Sequence, residues 1–213
     1  MRVAVVGATR GIGAALVGQA RAAGHAVTAV GRSMAPSGDP GVAVVRGSIT
    51  DPMVATRAVE GEDAVAWTVG DLSDFGPAFL RRRVTLYSEG TRVLIAAMGR
   101  AGVRRLVVVT GVGAGDSRRS GGWLDAWVLL PLLRGAIYAD KDRQEVLVRA
   151  SDTDWTILRP GFLTDGPATG TSRALIDRAG VRAGRISRAE VARVMLACLT
   201  EGRHLREVVL LTE

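Results

Sequence analysis

Two groups of residues and one lone residue carry chemistry by their type and spacing. The first is Gly7-Ala8-Thr9-Arg10-Gly11-Ile12-Gly13, which follows the apolar run Val3 to Val6 and opens a stretch of helical periodicity. Glycines in such a turn let the backbone approach a diphosphate, and the helix that follows offers unpaired N–H groups to it. Gly7, Thr9, Arg10, Gly11, Ile12 and Gly13 are therefore candidate dinucleotide-binding residues. The second group is Arg32-Ser33, at the end of the second apolar run. A carboxylate at that point would hold the adenosine ribose hydroxyls of NAD, whereas a guanidinium and a hydroxyl suit the extra phosphate of NADPH, with Arg10 able to join them. NADPH (NADP) is thus the expected cofactor in preference to NAD. The lone residue is Lys141. Of 28 basic residues it alone is lysine, and a chain so biased to arginine keeps a lysine mainly where a planar guanidinium cannot do the work. A surface lysine in the charged run Asp140 to Arg143 stays open as the other reading.

These residues are positioned by a regular alternation of elements. Strand-length apolar runs are expected at Val3 to Val6, Ala26 to Val30, Val42 to Val45, Ala64 to Trp67, Arg105 to Thr110, Trp155 to Leu158 and Val208 to Leu211. Helical periodicity is expected at Ile12 to Ala23, near Pro52 to Val59, from about Val84 to Ala101, near Tyr138 to Arg149 and from about Arg188 to Leu199. Such alternation demands an α/β fold, a doubly wound and mainly parallel sheet with helices on both faces. With no repeat or linker dividing it, residues 1–213 are expected to form a single domain. Ligands of such sheets bind beyond the carboxyl ends of the strands. The stretches 68–83, 111–135 and 160–186 all follow strands and should overhang that edge. Most of the nine aromatic residues lie in or beside them, among them Phe75, Trp123, Trp127 and Phe162, which marks an apolar pocket for a flat ligand.

Composition narrows the classes. The chain is 47% apolar and 23% charged, which excludes disorder, and it lacks any run long enough for a membrane span. A net charge of +7 invites a nucleic-acid reading, but the arginine clusters are short and no aromatics interleave them. No specific nucleic-acid role is expected. The one cysteine, Cys198, reads as a buried hydrophobe, and a reducing, cytoplasmic location is expected. His25 and His204 are isolated, so no metal site is expected.

Taken together, the glycine loop, Gly47-Ser48 with Thr50-Asp51, the run Arg104 to Thr110, Lys141 with Glu145, and Asp154-Trp155-Thr156-Ile157-Leu158-Arg159-Pro160-Gly161 span nearly the whole chain. In these features it resembles the atypical short-chain dehydrogenase/reductases, in particular the NAD(P)H-binding group of NmrA-like proteins and the flavin reductase/biliverdin-IXβ reductase type. The resemblance implies a Rossmann-like fold. It also implies that Ser48 and Ile49 flank the adenine, that Thr68, Val69 and Gly70 run along the cofactor ribose, and that Pro160, Gly161, Phe162 and Leu163 border the nicotinamide. The family more often has aspartate where Ser48 stands. By the same resemblance Lys141 holds the ribose, Thr110 takes the place of the active-site serine, and a tyrosine is expected four residues before the lysine. That position is Ile137; Tyr138 is one residue later, about 100° around a helix unless the helix starts irregularly there. Thr110, Tyr138 and Lys141 are the candidate catalytic residues.

The function expected is transfer of hydride from NADPH to an apolar, flat small molecule such as a flavin, quinone or conjugated carbonyl compound. Such acceptors need little acid catalysis from the protein. The competing class is a non-catalytic redox sensor similar to NmrA, favoured by the imperfect tyrosine–lysine pair. A sugar-nucleotide epimerase is disfavoured, because about fifty residues after Gly161 are few for a substrate domain. The segment Trp123 to Leu133 is read as a lid, a homodimer contact or a membrane-surface patch, and the sequence leaves all three open.

Overall fold

Alternating apolar residues in the first strand already divide the molecule into two faces. A computed structural model of the chain describes residues 1–70, 84–111, 114, 131–176 and 184–213, with 131–135 as backbone. Its elements in chain order are β1 (Arg2–Val6), α1 (Gly11–Ala22), β2 (Ala26–Gly31), β3 (Val42–Arg46), α2 (Pro52–Val59), β4 (Ala64–Trp67), α3 (Leu86–Ala101) and β5 (Arg105–Val109). They continue with α4 (Pro131–Arg149), β6 (Asp154–Pro160), β7 (Phe162–Thr164), β8 (Arg173–Leu175), β9 (Arg185–Ser187), α5 (Arg188–Glu201) and β10 (Glu207–Thr212).

The main sheet has the order β3-β2-β1-β4-β5-β6-β10-β8. Its pairs are parallel except for β10 with β8. Val3 and Val5 of β1 and Ala64 and Ala66 of β4 pack with Ile12, Leu16 and Ala20 of α1 and with Val191, Met195 and Leu199 of α5. Ala4 and Val6, with Val65 and Trp67, face α2 and α3 on the opposite side through Val54, Val59, Leu94 and Met98. A strand buried on both faces must be apolar at successive positions, and this is why these runs show no polar alternation. Strand order reverses between β1 and β4, opening a crevice at their carboxyl ends. The doubly wound α/β architecture is as the sequence pattern implies.

Two boundaries differ from expectation. The helix expected from Tyr138 begins seven residues earlier at Pro131, where proline's missing N–H costs nothing because the first turn has no acceptor for it. The stretch 160–186, expected as loop, contains β7, β8 and all but the last residue of β9. Each is three residues long, too short for periodicity to register.

Buried carboxylates tie the elements together. Asp140 of α4, fully buried, accepts the N–H of Tyr87 at 2.8 Å and the Ser88 hydroxyl, and so caps α3 from a neighbouring helix. Glu190 of α5 accepts the Gly170 N–H at 2.9 Å and the Ser172 hydroxyl at 2.5 Å, and pairs with Arg193 at 2.6 Å. It thereby pins the segment that follows β7 onto α5.

The Arg193 hydrogen bonds, opposed by burial and aided by Ser172 and Gly170, bring the Glu190 carboxyl down to about 2 from an ordinary 4.5. A depressed folded-state value stabilises the fold fully above the unfolded value, and that contribution is lost as pH falls from about 4.5 toward 2. Glu190→Gln should therefore lose stability at neutral pH and show a shallower acid limb over that window, as read by urea midpoints against pH; an unaltered acid limb would disprove the assignment.

Candidate functional site

At the carboxyl edge of the sheet the glycine turn is held by its neighbours' backbone. Gly7 has φ +91°, and a Cβ there would lie 2.8 Å from the Thr68 carbonyl carbon and the Val69 nitrogen. A Cβ on Gly13 would meet the Gly7 oxygen at 2.2 Å, so only glycine lets α1 lie this close to β1. The Thr68 hydroxyl donates to the Val6 carbonyl at 2.9 Å, fastening the end of β4 to the turn. Val69 is half-buried, and Gly70 is exposed.

The amino terminus of α1 has the electrostatics of an anion site. Its cap, Arg10, is extended and makes no side-chain capping bond, and its first turn holds no acid. By contrast Asp51 caps α2 and Ser187 caps α5. The N–H groups and positive dipole end of α1 are thus left for a ligand of negative charge. Thr9, Arg10 and Gly11 are exposed there, while the Ile12 side chain is buried in the core and fixes the helix.

Beyond β2, Arg32 and Ser33 are exposed. A Cβ on the preceding Gly31 would meet Thr9 Oγ1 at 2.6 Å, so this turn abuts the glycine loop. Arg46, the partner of Gly31 in the β2–β3 register, donates to the Met34 carbonyl at 2.6 and 3.0 Å. Arg10, Arg32 and Arg46 thus follow or end three adjacent strands, and Arg46 shapes the loop that carries Arg32. Sequence reasoning missed Arg46; its place at the end of the third strand was the available signal. After β3, Gly47 has φ +151° and Ser48 bonds Thr50 at 2.8 Å. The Ile49 side chain is buried with Trp67 and so leaves only its backbone to a ligand.

Past the ends of β5 and β6 lies a second cluster. Lys141 Nζ donates to the Thr110 carbonyl at 2.5 Å and stands 5.3 Å above the Tyr87 ring centre. Tyr87, one of only two tyrosines, went unremarked in the sequence because nothing in its spacing links α3 to α4. The Thr110 hydroxyl turns inward and donates to Glu145 at 2.8 Å. Glu145 is clasped by the fully buried Arg159, whose Nε lies 2.9 Å away, and Arg149 adds a bond at 3.2 Å. Burial pushes the Glu145 carboxyl up, but the hydrogen bonds and charge of Arg159, with Thr110 and Arg149, hold it below its ordinary value.

The structure brings Thr110 and Lys141 together, yet it assigns the Thr110 hydroxyl to this buried network. α4 is already helical well before Tyr138, so the residue one turn ahead of Lys141 is Ile137, buried beside Val84 and Tyr87. Tyr138 is half-buried, about 100° around the helix from Ile137. Pro160 ends β6, Gly161 follows, and Phe162 and Leu163 are exposed on β7 at the same edge. Phe75, Trp123 and Trp127, expected to line the substrate pocket, lie outside the described residues. Burial lifts the Cys198 thiol to about 11, which keeps it protonated. Among the described residues no cluster could hold a metal ion, and no helix is long and apolar enough to cross a membrane.

A strand-order switch, a glycine turn with no room for a side chain at Gly7 or Gly13 and a bare helix amino terminus define a nucleotide-binding α/β protein. The chain belongs to the NAD(P)H-binding family, whose profile matches residues 7–202. It is 31% identical over 150 residues to the uncharacterized sugar epimerase YhfK of Bacillus subtilis, covering 70% of this chain and 63% of that one. The match thus spans less than two thirds of that relative's length. Among solved structures it is similar to ChuY, an anaerobilin reductase of Escherichia coli O157:H7, at 25% identity and a TM-score of 0.78, covering 100% of this chain and 97% of that one. It shares its fold with a wide-type short-chain dehydrogenase/reductase of Veillonella parvula determined with NADP, at 19% identity and a TM-score of 0.80, covering 100% and 94%.

The contact between Gly13 and Gly7 makes a direct test. Gly13→Ala should lower the melting temperature by several degrees and abolish the further rise on adding NADP, since the helix must withdraw from β1. A normal melting temperature with normal NADP stabilisation would show that the close approach is dispensable.

Proposed function

We propose that the chain is an NADPH-dependent reductase that delivers hydride to a flat, apolar small molecule. The observation that carries this reading is that Phe162 and Leu163 are exposed at the same sheet edge as Lys141 and the glycine turn. An apolar acceptor can rest there against the nicotinamide end of a dinucleotide that lies across the switch point. The residues that would hold the cofactor are Gly7, Thr9, Arg10, Gly11, Ile12 and Gly13 at the diphosphate, Arg32 and Ser33 at the 2'-phosphate, Ser48 and Ile49 at the adenine, and Thr68, Val69, Gly70 and Lys141 at the ribose. Pro160, Gly161, Phe162 and Leu163 would border its nicotinamide. Bound NADPH supplies a hydride, and the protein's part is to orient two rings and exclude water.

The Thr110 hydroxyl is engaged by Glu145 and Ile137 stands one turn before Lys141, so little acid catalysis is on offer. A conjugated acceptor that delocalises the incoming charge suits such a site. Free flavin, a quinone and the anaerobilin named for the ChuY relative are the acceptors to try first. The same observation favours a second reading, a dinucleotide-binding redox sensor with no turnover. The two part on one measurement: the reductase consumes NADPH, followed by its absorbance, when mixed with one of these acceptors, and the sensor binds NADPH yet consumes none.

Lys141 gives a further test. Lys141→Ala should weaken NADPH binding about tenfold by titration, the scale of a charge-assisted hydrogen bond. Unchanged affinity would return Lys141 to a purely structural part in holding the Thr110 carbonyl.

A further inference from the structure

We propose that Arg188 is a diphosphate-binding residue, held in reserve by Asp165 and exchanged onto the cofactor when the dinucleotide enters. The inference rests on the dinucleotide reading above and adds to it a residue from the far end of the chain. Arg188 is the first residue of α5, and α5 is fastened to α1 by the Gln19 side chain, which donates to the Ala189 carbonyl at 2.9 Å. This packing lays the arginine stem over the glycine turn. A Cβ built on Gly11, the first residue of α1, would meet Arg188 Cδ at 3.6 Å and Nε at 3.8 Å. The guanidinium is therefore carried to the helix terminus where the diphosphate is expected.

Its partner there is a weak one. Arg188 reaches Asp165 at 2.7 Å, but the Asp165 side chain is 93% exposed, and an ion pair so open to water contributes little. A diphosphate seated on the N–H groups of α1 offers paired oxygens and more negative charge, and a guanidinium fork binds such a group in two places. The competition favours the cofactor. Asp165 follows β7 directly, so the exchange also releases one of the tethers between the chain beyond Phe162 and Leu163 and α5, while the Glu190 bonds to Gly170 and Ser172 remain.

The test is calorimetric titration of NADP, NADPH and ADP-ribose into the wild type, Arg188→Gln, Arg188→Lys and Asp165→Asn. Arg188→Gln should weaken all three ligands about tenfold, ADP-ribose included because it carries the diphosphate without nicotinamide, and Arg188→Lys should fall between. Asp165→Asn should tighten all three two- to threefold, roughly the hold of an exposed pair. That opposite sign is something a merely structural arginine would not produce. Wild type that binds while Arg188→Gln binds equally well overturns the proposal and leaves the dinucleotide reading standing. If Arg188→Gln does not fold, Asp165→Asn decides, and unchanged or weaker affinity overturns the exchange. A wild type that takes up none of the three ligands overturns the dinucleotide reading itself.

Discussion

The contact on which the site depends is the approach of α1 to the end of β1, where Gly13 lies against the Gly7 carbonyl with no space for a methyl group. Because the helix starts so close to the sheet, its amino terminus opens at the carboxyl edge where strand order switches between β1 and β4. Arginines stand at the ends of the flanking strands, and the first turn contains no acid that would compete with a ligand. The +7 net charge of the chain adds a general attraction for anions, but it is the geometry of the turn that gives this attraction a place.

A second constraint shapes the other half of the edge. Arg159 is fully buried at the end of β6, and an unpaired guanidinium there would be costly, so Glu145 of α4 must meet it. Once Glu145 is committed, Thr110 completes its hydrogen bonding, and the hydroxyl that the resemblance offers as a catalytic group is drawn into the interior. Lys141, one turn before Glu145 on α4, then holds the Thr110 carbonyl from outside. The network fixes α4 to β5 and β6 and at the same time removes a proton donor from the edge.

The sequence was most legible where one physical rule acted alone. Strands buried on both faces left continuous apolar runs, and these located β1, β2, β4, β5, β6 and β10 to within about two residues. Gly7 and Gly13 were legible for the same reason, since a backbone crowded by backbone admits one residue type. Arg159 and Glu145 could not be associated from the sequence, because their pairing crosses from a helix to a strand and leaves no periodic trace. The short strands β7 to β9 were invisible, as their residues alternate too briefly to count. Asp140 is the clearest loss: it reads as one member of a charged surface run, yet it is wholly buried because α3 lacks a local cap and takes one from α4. No local pattern announces a cap supplied by another helix.

That same Asp140 explains why α4 carries so much of the site. Its carboxylate receives the first N–H groups of α3, while the next residue, Lys141, points its ammonium over Tyr87 of α3 and onto the end of β5. One turn on, Glu145 closes against β6. Three neighbouring elements are thus registered to a single helix through charged groups as well as through apolar packing, which by itself tolerates sliding by a fraction of a turn. Directional bonds do not tolerate it, and the ribose-holding role proposed for Lys141 would require a placement error well under an ångström. The charged run that looked like a solvated face is therefore the device by which α4 keeps Lys141 in position, and the one lysine in an arginine-rich chain sits where three elements converge.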